Sequence, residues 1–254
     1  IFALLISMKY NHSDLYDFIL NFEYEKISDV KILNFFDNYG LETGDKIMLL
    51  IKKLILKKCG KPTMTFKEHF DLFKTALIVN SVCINDSNVV YFSYFTHPDM
   101  QIIDAIRASI SIPILFTPMK IDNKYYIDGG LIDNFSIHMY PPECSLGIRL
   151  IEQKCQIEIK SFDVYLIQTI KCIHSEICKM KYGDLSKYVI INIETDCNPL
   201  NINLTKEDRI KLYRTGYSCA KKILSKHFKR KNLMEELLNS NNDTENLNNS
   251  EVKK

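Results

Sequence analysis

An acid and two glycines directly follow a strongly apolar run near the middle of this chain. The run contains Tyr125-Tyr126-Ile127, and Asp128-Gly129-Gly130 comes next. Aromatic and β-branched residues predict a buried strand there, and the glycines allow a tight turn in which backbone can approach a substrate or another loop. Asp128 is therefore predicted at a strand end, where α/β folds place their ligand crevices. Such a position presents a carboxyl group to a ligand.

A purely structural interpretation of the same residues is open. Asp-Gly is a common tight-turn dipeptide, and most Asp-Gly pairs carry no chemistry. Asp133, five residues beyond Asp128, is expected to cap a helix or shape a turn rather than to catalyse a reaction. The functional interpretation of Asp128 depends on what surrounds it.

The flanking residues favour that functional interpretation. A helix ending in Ala108-Ser109 precedes Pro113 and the strand-like Ile114-Leu115-Phe116, and Asn134-Phe135 follows the Asp-Gly-Gly segment. This order of motifs resembles the patatin-like phospholipases, in which Ala-Ser-x-x-x-Pro leads to a strand and then to Asp-Gly-Gly or Asp-Gly-Ala. The central block is the specific part, and weaker similarity extends from Ile1 to about Leu224.

The resemblance implies a role for Asp128. In that family the aspartate of the motif is the base of a Ser–Asp catalytic dyad, so the resemblance assigns this role to Asp128, with Gly129 and Gly130 supporting the motif. A dyad lacks histidine, so the aspartate must take the serine proton itself. An ordinary Asp, with a pKa of about 3.9, is a weak base at neutral pH. Fixed geometry and partial desolvation must therefore make Asp128 effective.

The nucleophile of that family lies in a Gly-x-Ser-x-Gly elbow between a strand and a helix. No such motif occurs in these 254 residues, and Ser7 and Ser13 have no glycine at the needed spacing. The opening residues resemble the helix that follows the elbow. The chain is therefore expected to lack the N-terminal strand, oxyanion loop and elbow of an intact parent, and to show no normal esterase turnover alone.

The resemblance implies a phospholipase A type of lipid acyl hydrolase, with two competing hypotheses. One is a catalytically inactive lipid-binding or scaffolding module of the same fold. The other is an unrelated serine hydrolase with a histidine triad, for which His97 and His138 are the candidates, although a solvated loop position is the simpler interpretation of both. Translating the DNA upstream of Ile1 would separate the first two hypotheses, because only the enzyme requires Gly-x-Ser-x-Gly in frame.

Composition limits the other function classes. The net charge is only +2, and no basic stripe with interleaved aromatic residues indicates nucleic-acid binding. The eight cysteines form no Cys-x-x-Cys pair and are expected to be free thiols; they are Cys59, Cys83, Cys144, Cys155, Cys172, Cys178, Cys197 and Cys219. No metal site and no cofactor are expected.

The expected partners are a phospholipid or acylglycerol substrate and, transiently, a membrane surface. No run of 18 apolar residues that could span a bilayer occurs. The expected location is cytoplasmic and peripheral to membranes, with secretion left open because a signal peptide could precede Ile1.

Loose alternation of strands and helices predicts an α/β fold. The resemblance implies a three-layer patatin-like fold, with a central mixed, mainly parallel sheet flanked by helices. Residues 1–231 are expected to form this domain, and the Asn-rich residues 232–254 a disordered tail. The main predicted helices are Asp45–Lys58, a short helix capped by Thr65, Pro98–Ser109, Phe162–Met180 and Thr205–Phe228. The predicted strands include Leu77–Ile84, Val89–Phe95 and Tyr188–Ile193.

Overall fold

The computed structural model describes residues 1–22, 35–152, 158–195 and 204–251. Two compact units divide the chain. The first comprises Ile1–Ser136, Gln156–Gly183 and Asn201–Lys206, and the second comprises Ile137–Cys155, Asp184–Leu200 and Glu207–Lys254. Helices and strands mix in the way that the α/β prediction requires, and that prediction is confirmed.

Helices make up the larger part of the described secondary structure. They are α1 (Phe2–Ser7), α2 (His12–Asn21), α3 (Phe35–Asn38), α4 (Asp45–Cys59), α5 (Phe66–Phe73), α6 (Ile102–Ser109), α7 (Gly130–Asp133), α8 (Phe162–Tyr182) and α9 (Lys206–Glu251). Short 3₁₀ turns occur at Ser136–Met139, Pro142–Cys144 and Leu185–Lys187.

The strands of the described residues form three separate sheets rather than the single central sheet that was expected. They are β1 (Gly40–Glu42), β2 (Val79–Cys83), β3 (Asn88–Phe92), β4 (Ile114–Phe116), β5 (Met119–Ile121), β6 (Lys124–Asp128), β7 (Leu146–Glu152) and β8 (Val189–Thr195). Two pairs, β1-β4 and β7-β8, are parallel. The largest sheet has the order β3-β2-β6-β5 and is antiparallel throughout. Tight turns explain two of these pairings, β2-β3 and β5-β6, because a turn such as Asp122-Asn123 can join only antiparallel neighbours.

Local end signals placed several helices correctly. The cap predicted at Thr65 is present as a capping box: the Thr65 hydroxyl accepts the N–H of Glu68, and the Glu68 carboxylate accepts the N–H of Thr65. Gly60 ends α4 at a φ of +73°, as a glycine cap does. The predicted helices at residues 45–58 and 162–180 are confirmed within two residues at each end.

Two helix starts differ from what the sequence indicates. The order Ser13-Asp14 indicates a helix cap at Ser13, but the cap of α2 is Asn11, whose side chain accepts the N–H of Asp14. Helix α6 begins at Ile102 after Gln101, rather than at Pro98-Asp99. The preceding backbone is instead paired with the start of α5, since Gln101 bridges Thr65 and the N–H of Phe66 donates to the carbonyl of Met100. Tertiary pairing thus overrides the local helix signal.

Helix α9 continues past its predicted end near Phe228 to Glu251. It therefore extends into the Asn-rich segment 232–254, and the disorder expected there stays a prediction, as does the division into a domain of residues 1–231 and a tail.

Helices α1, α4 and α6 supply much of the core of the first unit. Leu4, Ile51, Ile55 and Ile102 are each at most 1% exposed. The apolar start of the chain is buried on one side only, because Ile6 is 60% exposed while Leu4 is covered. Burial of a large aliphatic side chain stabilises a fold by about 1.5–3 kcal/mol. This core provides the rigid support on which the antiparallel sheet holds Asp128.

Candidate active site

Asp128 is the last residue of β6, as its position after an apolar run predicted. In the register of the sheet it lies opposite Ser81 of β2, whose hydroxyl donates to the carbonyl of Ile127 at 2.6 Å. The backbone N–H of Asp128 donates to the carbonyl of Ser111 at 2.9 Å. Asp128 is therefore fixed at the backbone by a strand on one side and by the segment after α6 on the other.

The carboxyl group of Asp128 is held by the turn that follows it. Its Oδ1 accepts the N–H of Gly130 at 2.6 Å. Burial raises the pKa of Asp128 from its ordinary 3.8 to about 6, and the Gly130 hydrogen bond offsets part of this rise because it favours the charged form. A carboxylate with a pKa near 6 is a stronger base than an exposed one, yet it is largely ionised at neutral pH.

The two glycines of the motif serve different steric needs. Gly129 has a φ of −63°, so it is not required for a left-handed conformation. A Cβ atom at Gly129 would lie 2.6 Å from the backbone carbonyl carbon and oxygen of Asn80 in β2. A Cβ atom at Gly130 would meet only side-chain atoms, Oδ1 of Asp128 at 2.9 Å and Oδ1 of Asn134 at 3.0 Å. Close approach to another backbone segment, one of the two roles predicted for the pair, is therefore required at Gly129.

The residues after α6 are anchored by Arg107. Its Nη1 donates to the hydroxyl of Ser111 at 2.6 Å, and its Nη2 donates to the carbonyl and hydroxyl of Thr117 at 2.8 Å each. The spacing of Asp104 and Arg107 suggests a pair along the helix, but these hydrogen bonds direct the guanidinium to loop acceptors. Arg107 thereby fixes Ser111, whose carbonyl receives the N–H of Asp128.

Asp133 lies at the end of α7 and is 1% exposed. Its Oδ2 accepts the hydroxyls of Tyr91 at 2.5 Å and Ser136 at 2.7 Å, and Nζ of Lys181 lies 3.5 Å away. The expectation that Asp133 shapes the turn agrees with these contacts. The sequence pattern gave no sign of Tyr91 or Lys181 as partners.

The triad hypothesis requires a histidine beside the acid, but the causes of the shifted pKa of Asp128 are burial and the N–H of Gly130. His97 packs edge-on against the ring of Phe92, with ring centroids 4.9 Å apart. His138 is exposed, in the 3₁₀ turn Ser136–Met139. The geometry gives no support to a histidine-assisted acid at this strand end.

A different serine and histidine do meet, and sequence spacing did not reveal them. The Ser7 hydroxyl lies 2.9 Å from Nε2 of His69 and donates to the carbonyl of Leu4 at 2.8 Å. The hydroxyl proton is thus used within α1, and His69 is the donor to Ser7. Ser7 and His69 are 4% and 1% exposed. An ester cannot reach a pair so deeply buried, so we assign the pair to the core.

The burial of His69 predicts acid sensitivity of the fold. Desolvation lowers the pKa of His69, whereas in the unfolded chain it is about 6.5. As the pH falls below 6.5 the unfolded chain takes up the proton first, so the free energy of unfolding decreases. In urea titrations at pH 7.5 and 5.5, wild type should lose about 1 kcal/mol more than His69→Gln. An equal loss in His69→Gln and wild type would contradict this expectation.

The thiols and charges reveal no second centre in the described residues. Cys59, Cys83, Cys144, Cys172, Cys178 and Cys219 are free thiols, as predicted, while Cys155 and Cys197 lie outside the described residues. Within the described ranges, no cluster of three His, Cys, Asp or Glu side chains could hold a metal ion. None of the helices searched there is long and apolar enough to cross a bilayer.

Comparison with known proteins identifies the family. The model of the family described as "Patatin: Patatin-like phospholipase" matches residues 1–140, which include Asp128, Gly129 and Gly130. This chain belongs to the patatin-like phospholipase family. The match covers more than half of the chain but stops well short of Leu224, to which we traced the weaker resemblance.

Two viral proteins are similar to this chain. A probable lipid hydrolase of Invertebrate iridescent virus 6 is 38% identical over 98 residues, which are 39% of this chain and 34% of that protein. An uncharacterised protein of Acanthamoeba polyphaga mimivirus is 23% identical over 202 residues, 75% of this chain and 67% of that protein. The chain therefore spans about a third of the first relative and about two thirds of the second.

Among solved structures, VipD from Legionella pneumophila resembles this chain with a TM-score of 0.42 and 17% identity. The match covers 67% of this chain and 36% of VipD. A likeness of this size supports no statement about activity.

Proposed function

We propose that the intact protein is a lipid acyl hydrolase of the phospholipase A type, in which Asp128 is the base of a Ser–Asp dyad. The observation that carries the proposal is a partly buried carboxyl group at the end of β6, held by the N–H of Gly130 at 2.6 Å, inside the part of the chain that matches the family. The name of the iridescent-virus relative, a probable lipid hydrolase, points to the same substrate class.

In the proposed reaction, Asp128 accepts the proton of a serine hydroxyl while the serine oxygen attacks the acyl carbonyl of the lipid. The carbonyl becomes an oxyanion, which collapses as the alcohol part of the lipid leaves with the proton from Asp128. A water molecule then gives its proton to Asp128 and attacks the acyl-serine, releasing the fatty acid and restoring the hydroxyl. The raised pKa of Asp128 suits both proton transfers, because it reduces the pKa difference between Asp128 and the serine or water that it must deprotonate.

The serine of this dyad is proposed to come from sequence upstream of Ile1. Candidate hydroxyls inside the described part of the chain do not fit the role: Ser7 is buried against His69, and Ser81 and Ser111 donate to backbone carbonyls. No residue of the 254 lies in a Gly-x-Ser-x-Gly motif. The substrate is proposed to be a phospholipid or acylglycerol taken from a membrane surface.

We therefore expect the 254 residues alone to give no ester turnover above background. The measurement is a fluorogenic assay with short-chain esters and with phospholipid vesicles, at protein concentrations high enough to detect about 10⁻⁶ of an ordinary enzyme rate. If this chain hydrolysed esters and Asp128→Asn abolished that hydrolysis, the proposed origin of the serine would be contradicted.

The second candidate is a lipid-binding or scaffolding module that has lost catalysis. Reading the DNA upstream of Ile1 separates the two. An in-frame Gly-x-Ser-x-Gly followed by lipid hydrolysis in the longer protein supports the enzyme. A start codon close to Ile1, together with vesicle binding and no turnover, supports the module.

A further inference from the structure

A buried acid that the proposed reaction does not use lies five residues after Asp128. The carboxylate of Asp133 has a side chain that is 0% exposed and receives hydroxyls from Tyr91 in β3 and from Ser136. Lys181 of α8 lies within 3.5 Å of the same oxygen. Burying a carboxylate is costly unless donors surround it. These contacts provide donors from a strand, a helix and the turn after α7.

The backbone of Asp133 is tied down as well. Its N–H donates to the carbonyl of Gly129 at 2.9 Å, and its carbonyl accepts Nδ2 of Asn80 in β2 at 2.7 Å. Side chain and backbone together connect α7 to β2, β3 and α8. Helix α7 has only four residues, so these contacts, rather than its own hydrogen bonds, must determine where it lies.

The position of α7 matters for Asp128 because Gly130 is the first residue of that helix. The N–H of Gly130 is the donor to Oδ1 of Asp128. A displacement of α7 by a few tenths of an ångström would lengthen this hydrogen bond and release the carboxyl group from its orientation. The same displacement would leave the backbone of Asp128 paired, since that pairing belongs to β2 and Ser111.

We propose that Asp133 and Tyr91 are positioning residues, which hold α7 so that the N–H of Gly130 orients the carboxyl group of Asp128. Only the catalytic meaning of that orientation rests on the proposed function. The geometric part concerns this chain as it stands and can be tested without turnover.

Tyr91→Phe is the cleanest perturbation. Burial, followed by the contact with Asp133, raises the pKa of Tyr91 to about 12. The phenol is therefore neutral wherever Asp128 titrates, and its removal changes no charge near the site. Asp133→Asn is less informative, because loss of a negative charge by itself lowers the pKa of a nearby carboxyl group and opposes the effect of a weakened hydrogen bond.

The test is an NMR titration of the Asp128 carboxyl carbon in the full 254-residue chain. Weakening a hydrogen bond to the charged form of an acid raises its pKa. Tyr91→Phe should weaken the hydrogen bond from Gly130 and so raise the pKa of Asp128 by about 0.5. Ser136→Ala, which removes another donor from the same oxygen, should shift it in the same direction. The matched control Tyr125→Phe in β6 should leave the pKa of Asp128 unchanged.

A merely structural role of Tyr91 would lower the melting temperature and leave the titration of Asp128 where it is, and that result would overturn the proposal. Should Tyr91→Phe not fold, the titration of Asp128 in Ser136→Ala tests the proposal in the same way.

In the protein extended upstream of Ile1, Tyr91→Phe should lower kcat about tenfold and change KM less than twofold, because the orientation of Asp128 acts on the chemical step. Lipid hydrolysis that persists in Asp128→Asn would contradict the proposed function, but it would not affect the conclusion from the titration of Asp128 in Tyr91→Phe.

Discussion

Replacing Asp128 with Asn should lower lipid hydrolysis by roughly 10²- to 10⁴-fold, the usual contribution of a positioned general base, in the protein expressed with the sequence upstream of Ile1. The carboxamide oxygen of Asn can still accept the N–H of Gly130, which lies 2.6 Å from Oδ1 of Asp128. The geometry of the turn should therefore survive. The carboxamide cannot take a proton from a serine or from water, and the loss should appear in kcat rather than in KM.

The matched control for this experiment is Asp86→Asn. Asp86 is an exposed acid that pairs with Lys124 at 2.6 Å in the same sheet region, and exposed pairs contribute little to stability. Its replacement removes the same charge without touching the strand end. Rates are measured with phospholipid vesicles after circular dichroism has shown that both variants fold. Retention of the wild-type rate in Asp128→Asn, within about threefold, would remove Asp128 from the mechanism.

Gly129→Ala should destabilise the fold by about 2–3 kcal/mol, the upper part of the range for overpacking a dense interior. The added Cβ would lie 2.6 Å from backbone atoms of Asn80. Asn80 belongs to β2, which is hydrogen-bonded to β3 on one side and β6 on the other. Such a central strand cannot move aside cheaply, so the strain has to be taken up by the turn that carries Asp128.

Gly130→Ala should cost less than about 1 kcal/mol, because its clashes involve side-chain atoms and alanine favours the helical conformation. Gly216→Ala is a second control, since a Cβ there meets only Cδ1 of Ile193 at an ordinary 3.6 Å. The measurement is the free energy of unfolding from urea titrations of the three variants. Equal stability of Gly129→Ala and Gly130→Ala would contradict the distinction between the two glycines.

The strand end that carries Asp128 was predictable because its signals are local. An apolar run marks β6, and Asp-Gly-Gly marks its end, so six or seven consecutive residues suffice. The capping box at Thr65 and the glycine cap at Gly60 were predictable for the same reason. The position of the carboxyl group within the turn and the pKa of Asp128 could not be predicted in this way, because both depend on the tertiary structure.

Several buried contacts could not be found from spacing, because most of their partners are distant in sequence. Ser7 meets His69 across 62 positions, and Tyr91 meets Asp133 across 42. Arg107 lies three positions after Asp104 on one helix, yet its guanidinium donates to Ser111 and Thr117 in loops. Buried polar groups take whichever partner the tertiary fold brings near, and no periodicity records that choice.

Not every strand was predicted from the sequence. β1, which has only three residues, and β7 were not predicted, whereas β4 coincides with the strand-like Ile114-Leu115-Phe116. Three residues are too few to show alternation. The two β1-β4 segments gain their strand conformation from each other, since they pair as parallel neighbours more than 70 positions apart.

The account depends most on Asp128 being a partly desolvated, ionisable base at the end of β6, and its titration is the most direct measurement. In the 254-residue chain, the carboxyl carbon of Asp128, assigned by its disappearance in Asp128→Asn, should titrate with a pKa of about 6. A pKa of Asp128 near the ordinary 3.8 would show a solvated turn residue and contradict the proposed role.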